Sequence, residues 1–359
     1  PWKPEVAWLA GDLWMGGKEV EASPRVALKR QIARAAKKGH HMKTGVECEY
    51  FLVTPDGAAI SDSNDIQEKP CYDQSALMRR YDVISEICDA MIALGWNPYQ
   101  NDHEDANGQF EMNWDFDDAL ITADRHVFFK YMVKAIAEKH GMRATFMPKP
   151  FANLTGNGCH AHISIWDKMG KKNLFHSARD SLGLSKLAYQ FLGGILHNAD
   201  ALAAIFNPTV NSYKRIDAQV TLSGATWSPN AITYGGNNRT HMVRVPDKGR
   251  FELRLMDGAV NPYLLQAGVL AAGLDGVDNQ RDPGKPHDIN MYTEGHKLRG
   301  VRRLPSNLLD AIRVFEKSKV LKAGLGEELV ASYAKLKHLE WRSYAAAISP
   351  WERDHTLDC

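Results

Sequence analysis

Residues 45–53 read "GVECEYFLV", an apolar run interrupted by glutamates at 47 and 49. In a strand, side chains two apart project from the same face, so Glu47 and Glu49 stand side by side while Val46, Cys48 and Tyr50 face the other way. One such strand reads equally well as a solvent-facing edge. The pattern returns three times, however. In "GQFEMNW" (108–114) Gln109 and Glu111 share a face; in "CHAHISIW" (159–166) His160, His162 and Ser164 do; in "RFELRLMD" (250–257) Arg250, Glu252 and Arg254 do. The opposite faces carry Phe110 and Met112, Ala161, Ile163 and Ile165, and Phe251, Leu253 and Leu255. Four strands of this kind, with Glu104 just upstream of the second in "NDHEDANGQFE" (101–111), predict a curved sheet whose concave face is a charged cavity.

Carboxylates crowded in a cavity raise one another's pKa unless cations neutralise them, which points to divalent metal. Glu47, Glu49, Glu104, Glu111 and Glu252 outnumber the histidines. Such a hard, oxygen-rich set suits Mg²⁺ or Mn²⁺ better than Zn²⁺. Arg215, Arg239, Arg244, Arg250 and Arg254 all fall in the stretch 215–254, and guanidinium forks match phosphate and carboxylate geometry. Phosphoryl transfer is therefore the leading reaction class, since it needs positive charge around phosphate oxygens and little covalent chemistry from the protein. The chain carries neither a GxxxxGK[ST] loop nor the HRD and DFG signatures of protein kinases.

Composition sets the outer limits. With 359 residues, 44% hydrophobic and 24% charged, the chain is long enough for a large core. Its 44 basic and 43 acidic residues are interspersed, so no basic patch suggests nucleic acid. No apolar run of membrane-spanning length is present, and a cytoplasmic protein is expected. Five cysteines without CxxC spacing read as reduced, mostly buried thiols. Helical periodicity spans Leu77 to Met91 before Gly95 stops it. Further helices are predicted over 25–38, 118–140, 181–206, 262–274 and 307–347. They alternate irregularly with short strands, so the expected class is α+β, with a curved antiparallel sheet and flanking helices rather than a doubly wound parallel sheet.

Together the motifs resemble the glutamine synthetase superfamily, and within it the bacterial type III branch that includes γ-glutamylmethylamide synthetases. "GVECEYFLV" is similar to that family's first metal strand, "HEDANGQFE" to its second carboxylate motif, and "LTGNGCHAHIS" to its glycine-rich loop and histidine strand. "NPTVNSYKR" resembles the substrate-arginine motif, "NNRTHMVRVP" the ATP-phosphate motif, and "RFELRLMDGAVNPYL" the last metal strand. The resemblance implies that Glu49, Glu104 and Glu111 hold one metal ion and Glu47, His160 and Glu252 another. His162 and Ser164 would lie along ATP, with Arg239, Arg244 and Arg250 on its phosphates. Gly156, Arg215 and Arg254 would hold L-glutamate, and Arg239 and Arg254 would act in catalysis.

The implied reaction joins a small amine to the γ-carboxylate of glutamate through γ-glutamyl phosphate. Two positions depart from the family pattern. No Glu occurs between Arg215 and Arg239, where the family's flap carries one, and Trp227 falls near that position. Thr155 stands where most members have Asn. An aromatic in place of a carboxylate suits a methylated cation, so methylamine is the favoured acceptor and ammonia the alternative. A non-catalytic paralogue would show gaps among the six metal positions, and all six are filled. The resemblance also implies homo-oligomeric rings, a dodecamer, with active sites between subunits. Residues 1–20 would be the remnant after an N-terminal β-grasp domain, and 21–359 the catalytic domain. Tyr292 lies near a position modified by adenylylation in some relatives, in different surroundings.

Overall fold

The computed structural model describes residues 1–216, 218 and 221–359; the start of the segment following Arg215 thus lies partly outside the described residues. Nine strands form one sheet: β1 (His41–Val53), β2 (Pro98–His103), β3 (Gln109–Trp114), β4 (Asp117–Asp118), β5 (Arg143–Thr145), β6 (Cys159–Trp166), β7 (Tyr234–Gly235), β8 (Val243–Asp247) and β9 (Arg250–Leu253). Their order is β2-β3-β1-β6-β9-β8-β7, with β4 and β5 also paired to β1. Every pair is antiparallel except β7 with β8, which run parallel. The glutamate-bearing run is thus the longest strand and lies centrally in the sheet, not at a solvated edge.

Period-two alternation divides the sheet as the sequence implies. Val46, Cys48, Tyr50, Phe110, Met112, Ala161, Ile163, Phe251 and Leu253 are all buried in the main core. Helices cover that side: α1 (Pro24–Lys37), α2 (Tyr81–Ala93), α3 (Ala119–Lys139), α4 (Lys186–Phe206) and α5 (Pro262–Asp278). Tyr50 meets Phe129 of α3 edge-on at 6.3 Å, and Phe251 meets Phe191 of α4 at 6.4 Å. Local chemistry fixes the helix starts. Pro262 opens α5, where a missing N–H costs nothing, and Asn261 accepts from the Tyr263 and Leu264 N–H groups. Ser185 caps α4 through the Ala188 N–H, four residues later than the predicted start at 181.

Two predicted helices are divided. Leu77 belongs to a short helix, Gln74–Met78, that ends before α2 begins at Tyr81. The C-terminal run is three helices, Leu308–Phe315, Lys319–Leu325 and Glu327–Ala346. Helices α4 and α5 pack backbone to backbone: a Cβ at Gly194 would overlap the Ala272 carbonyl oxygen, and one at Gly276 the Gln190 carbonyl oxygen. No helix of the described residues is long and apolar enough to cross a membrane.

Candidate active site

Strand register assembles the polar face. Glu49 stands opposite Glu111, and Glu111 opposite Asp102, so three carboxylates line up across β1, β3 and β2. Glu47 stands opposite His160. His162 pairs with Glu252, and Glu252 with Arg244. A cavity of about 320 Å³ opens over this face, lined among others by Glu47, Glu49, Glu104, Glu111, His160 and Trp227.

Glu104 and Glu111 have little protein charge to meet them. Burial, with Glu49, Asp102 and Glu47 nearby, pushes the Glu104 carboxyl well above the usual range. Burial and Glu47, Glu104 and Glu49 do the same to Glu111. Glu47 is shifted the other way. Burial opposes its ionisation, yet hydrogen bonds from His160 and His162 hold it well below the usual range. Donor atoms gather in three overlapping groups: Glu47, Glu111 and His160; Glu47, His162 and Glu252; and Asp102, Glu104 and Glu111. Among the described residues, His160 Nε2 is buried without a hydrogen-bond partner. Crowded carboxylates beside an orphaned imidazole nitrogen are the donor set a hard divalent cation satisfies.

The grouping differs in detail from the implied ligand sets. Glu49 already accepts from the Gly158 N–H at 2.6 Å and from Gln109 Nε2 at 3.1 Å. Glu252 is fully buried between two guanidinium groups, accepting from Arg244 at 2.8 Å and from Arg254. Burial alone would raise its pKa; Arg254 and His160 bring it below the ordinary value.

The arginines are interleaved with the acids. Arg239, Arg244, Arg250 and Arg254 line the cavity. Arg239 donates to the Tyr72 hydroxyl at 3.1 Å. Arg250 reaches His162 Nδ1 at 2.6 Å, while His162 Nε2 lies 2.6 Å from Glu47. Arg215 lies behind the cavity, 1% exposed, with one bond to the Leu255 carbonyl at 3.3 Å. Among the described residues, both Arg215 and Arg254 keep a buried Nε–H without a partner. Gly156 lets the Arg215 stem pass, since a Cβ there would lie 3.3 Å from Arg215 Cγ and overlap the Pro148 carbonyl oxygen. Ser164 faces a second cleft of about 360 Å³ that shares Glu47, His162 and Arg250 with the first.

Trp227 is among the residues lining the cavity. Its backbone is left-handed at φ 49, an uncommon conformation for a bulky residue, and its ring meets Tyr292 edge-on at 6.4 Å. Several wall residues escape the sequence reading. Asp102, Asn113, Tyr72 and Tyr99 line the cavity, and Asp102 could have been found by continuing the period-two pattern upstream from Glu104. Gly158 is another: a Cβ there would sit 2.8 Å from His160 Nε2, 2.9 Å from Arg215 Nη2 and 3.1 Å from Glu49 Oε1, so only glycine lets these three groups converge.

A sheet face that gathers carboxylates, imidazoles and guanidinium groups around one cleft defines an enzyme that handles phosphate and divalent cations. The family model described as "Glutamine synthetase, catalytic domain" matches residues 21–356, and the chain belongs to the glutamine synthetase family. A protein of Rhizobium leguminosarum bv. phaseoli named glutamine synthetase is 64% identical over 358 residues, covering 100% of this chain and 82% of its own. A glutamate–methylamine ligase of Methyloversatilis universalis is 44% identical over 365 residues, with the same coverage. A solved structure described as a GmaS/ADP complex superposes with a TM-score of 0.96 at 64% identity, covering 100% of this chain and 83% of that one.

Proposed function

We propose that the protein is an ATP-dependent ligase joining a small amine, methylamine in preference to ammonia, to the γ-carboxylate of L-glutamate. The observation that carries the choice of amine is Trp227: an aromatic ring, packed edge-on against Tyr292, lines a cavity that also carries carboxylates and guanidinium groups. An ammonium ion is best held by carboxylates, whereas methylammonium offers both a charge and an apolar cap to an aromatic face.

Arg239, Arg244 and Arg250 bind the phosphates of ATP, with His162 and Ser164 along the nucleotide. Arg215, Arg254 and the Gly156 backbone hold glutamate, the guanidinium groups supplying positive charge for its carboxylates. The γ-carboxylate oxygen attacks the γ-phosphorus of ATP, giving γ-glutamyl phosphate and ADP. The bound amine cation gives up a proton to water, the neutral amine nitrogen attacks the acyl carbon as the C–O bond to phosphate breaks, and the proton the nitrogen then sheds leaves with the phosphate. When bound by Glu47, Glu49, Glu104, Glu111, His160 and Glu252, two or more Mg²⁺ or Mn²⁺ ions supply positive charge beside the phosphate oxygens. Trp227 and the flap exclude water from the acyl phosphate.

Rings, a dodecamer, with shared active sites, a β-grasp domain ahead of residue 21, and a cytoplasmic setting belong to the same reading. A specific observation keeps the ammonia alternative in view, since a relative as similar as the GmaS structure is named glutamine synthetase. ATP- and glutamate-dependent phosphate release across a panel of amines tests the proposal. A methyl group in an apolar pocket is worth about 1–3 kcal/mol, so kcat/KM for methylamine should exceed that for ammonia by roughly ten- to two-hundredfold. Trp227→Glu should narrow or reverse that ratio. A parent protein that prefers ammonia, or a variant that slows both amines equally, would make Trp227 a packing residue and the protein a glutamine synthetase in activity.

A further inference from the structure

The flap bearing Trp227 is tied to the glycine-rich loop through one carboxylate. Asp105 follows Glu104 directly and is 7% exposed. Its Oδ2 accepts the Thr155 hydroxyl at 2.5 Å and the Ser223 hydroxyl at 2.5 Å. Thr155 opens the glycine-rich loop. Ser223 sits in a tight turn closed by the Gly224 N–H on the Thr221 carbonyl at 3.0 Å, with Gly224 at φ 84. The same turn touches the loop a second time, where the Leu222 N–H donates to the Asn153 carbonyl at 3.1 Å. One carboxylate oxygen has two lone pairs, and two hydroxyls use both in charge-assisted bonds.

We propose that Asp105 is the latch of the flap, a positioning residue that bridges Thr155 and Ser223 and so holds Trp227 over the acceptor end of the cavity. The role deepens the ligase reading above and rests on it. Water attacks an acyl phosphate as the amine does, and closure is what separates the two nucleophiles. Because Asp105 adjoins Glu104, the flap is registered directly to the acid wall instead of to a remote surface. Opening breaks the Ser223 tie, while Thr155 keeps the carboxylate aimed for reclosure. The threonine at 155 thereby acquires a reason: its hydroxyl donates to a carboxylate that also serves the flap.

The test uses Ser223→Ala, Thr155→Val, their double variant, and Ser223→Thr as the conservative replacement. Hydrogen exchange at residues 221–225, read without substrates, should quicken roughly tenfold or more in Ser223→Ala, the scale set by losing one hydrogen bond to a charged acceptor. Ser223→Thr should restore the parent rate. The double variant should exchange more slowly than the product of the single effects predicts, because both hydroxyls act through one carboxylate. In turnover, Ser223→Ala should release more phosphate than amide formed and raise KM for the amine more than it lowers kcat. Parent-like exchange, together with equal phosphate and amide in Ser223→Ala, overturns the latch. A parent protein inert toward glutamate and amines would overturn the ligase reading instead, and the exchange rates would still decide whether Asp105 holds the flap.

Discussion

At the residue scale, single groups carry separable charges of the reaction. Glu111 belongs to two of the three donor groups and is pushed well above the usual carboxylate range by burial and by Glu47, Glu104 and Glu49. Glu111→Gln keeps its shape and its contact with Asn113 but loses the charge a divalent cation needs. Turnover should fall by about tenfold to a hundredfold or more, with unchanged circular dichroism. Near-normal activity at saturating Mg²⁺ would remove Glu111 from the metal set. Arg239→Lys should likewise lose most of kcat, since a point charge cannot reproduce a planar fork; a change confined to KM for glutamate would place Arg239 on the wrong substrate. The ligand-type residues were legible because alternation along each strand betrays a polar face. How they group was not. Glu49 is drawn to the Gly158 N–H and Glu252 to two arginines, and such pairings depend on neighbours brought in by strand register and loop closure.

At the element scale, periodicity located helices well and their interruptions poorly. The run 118–140 became Ala119–Lys139 almost unchanged. The run 307–347 broke twice because Ser318 caps a new helix and Gly326, at φ 96, turns the chain, while apolar spacing continues across both breaks. The loop entering β8 carries a feature no pattern announced. His241 is fully buried, its Nδ1 2.9 Å from the Thr233 hydroxyl and its ring stacked 6.5 Å from His287. Burial, with His287 beside it, holds His241 down at about 4, well below the ordinary histidine value. The folded state therefore keeps this ring neutral, while the unfolded chain takes up a proton below about pH 6.5. The stability it contributes is complete above about pH 6.5 and is lost as pH falls toward about 4. Urea midpoints measured at pH 7 and pH 5 should separate less for His241→Gln than for the parent. An equal separation in both would show that His241 does not titrate with unfolding.

At the scale of the whole molecule, the fold is a sheet with one face given to chemistry and the other to the core. The α+β class and the curved sheet were legible because alternating segments recur without regular βαβ spacing. The parallel pairing of β7 with β8 was not, since two residues carry no periodicity. Behind the sheet, α4 and α5 meet through Gly194 and Gly276 so closely that an added Cβ at Gly276 would stand 2.5 Å from the Gly194 nitrogen. Gly194→Ala must force two backbones apart, and should lower unfolding free energy by about 3 kcal/mol, the upper end of ordinary overpacking. A denaturant midpoint within error of the parent would mean the helices can part freely. Around that glycine contact Phe191, Leu202, Ile205 and Phe206 of α4 pack onto Gly273 and Gly268 of α5, so the two helices share one continuous buried seam. The loops and flap of the rim are held by hydrogen bonds such as those to Asp105 and by the small apolar cluster of Phe51, Val53, Ala106 and Leu154, a far smaller core than the one behind the sheet. Heat therefore disorders the rim first, so that catalysis fades over a range of temperature in which the helical framework is still intact.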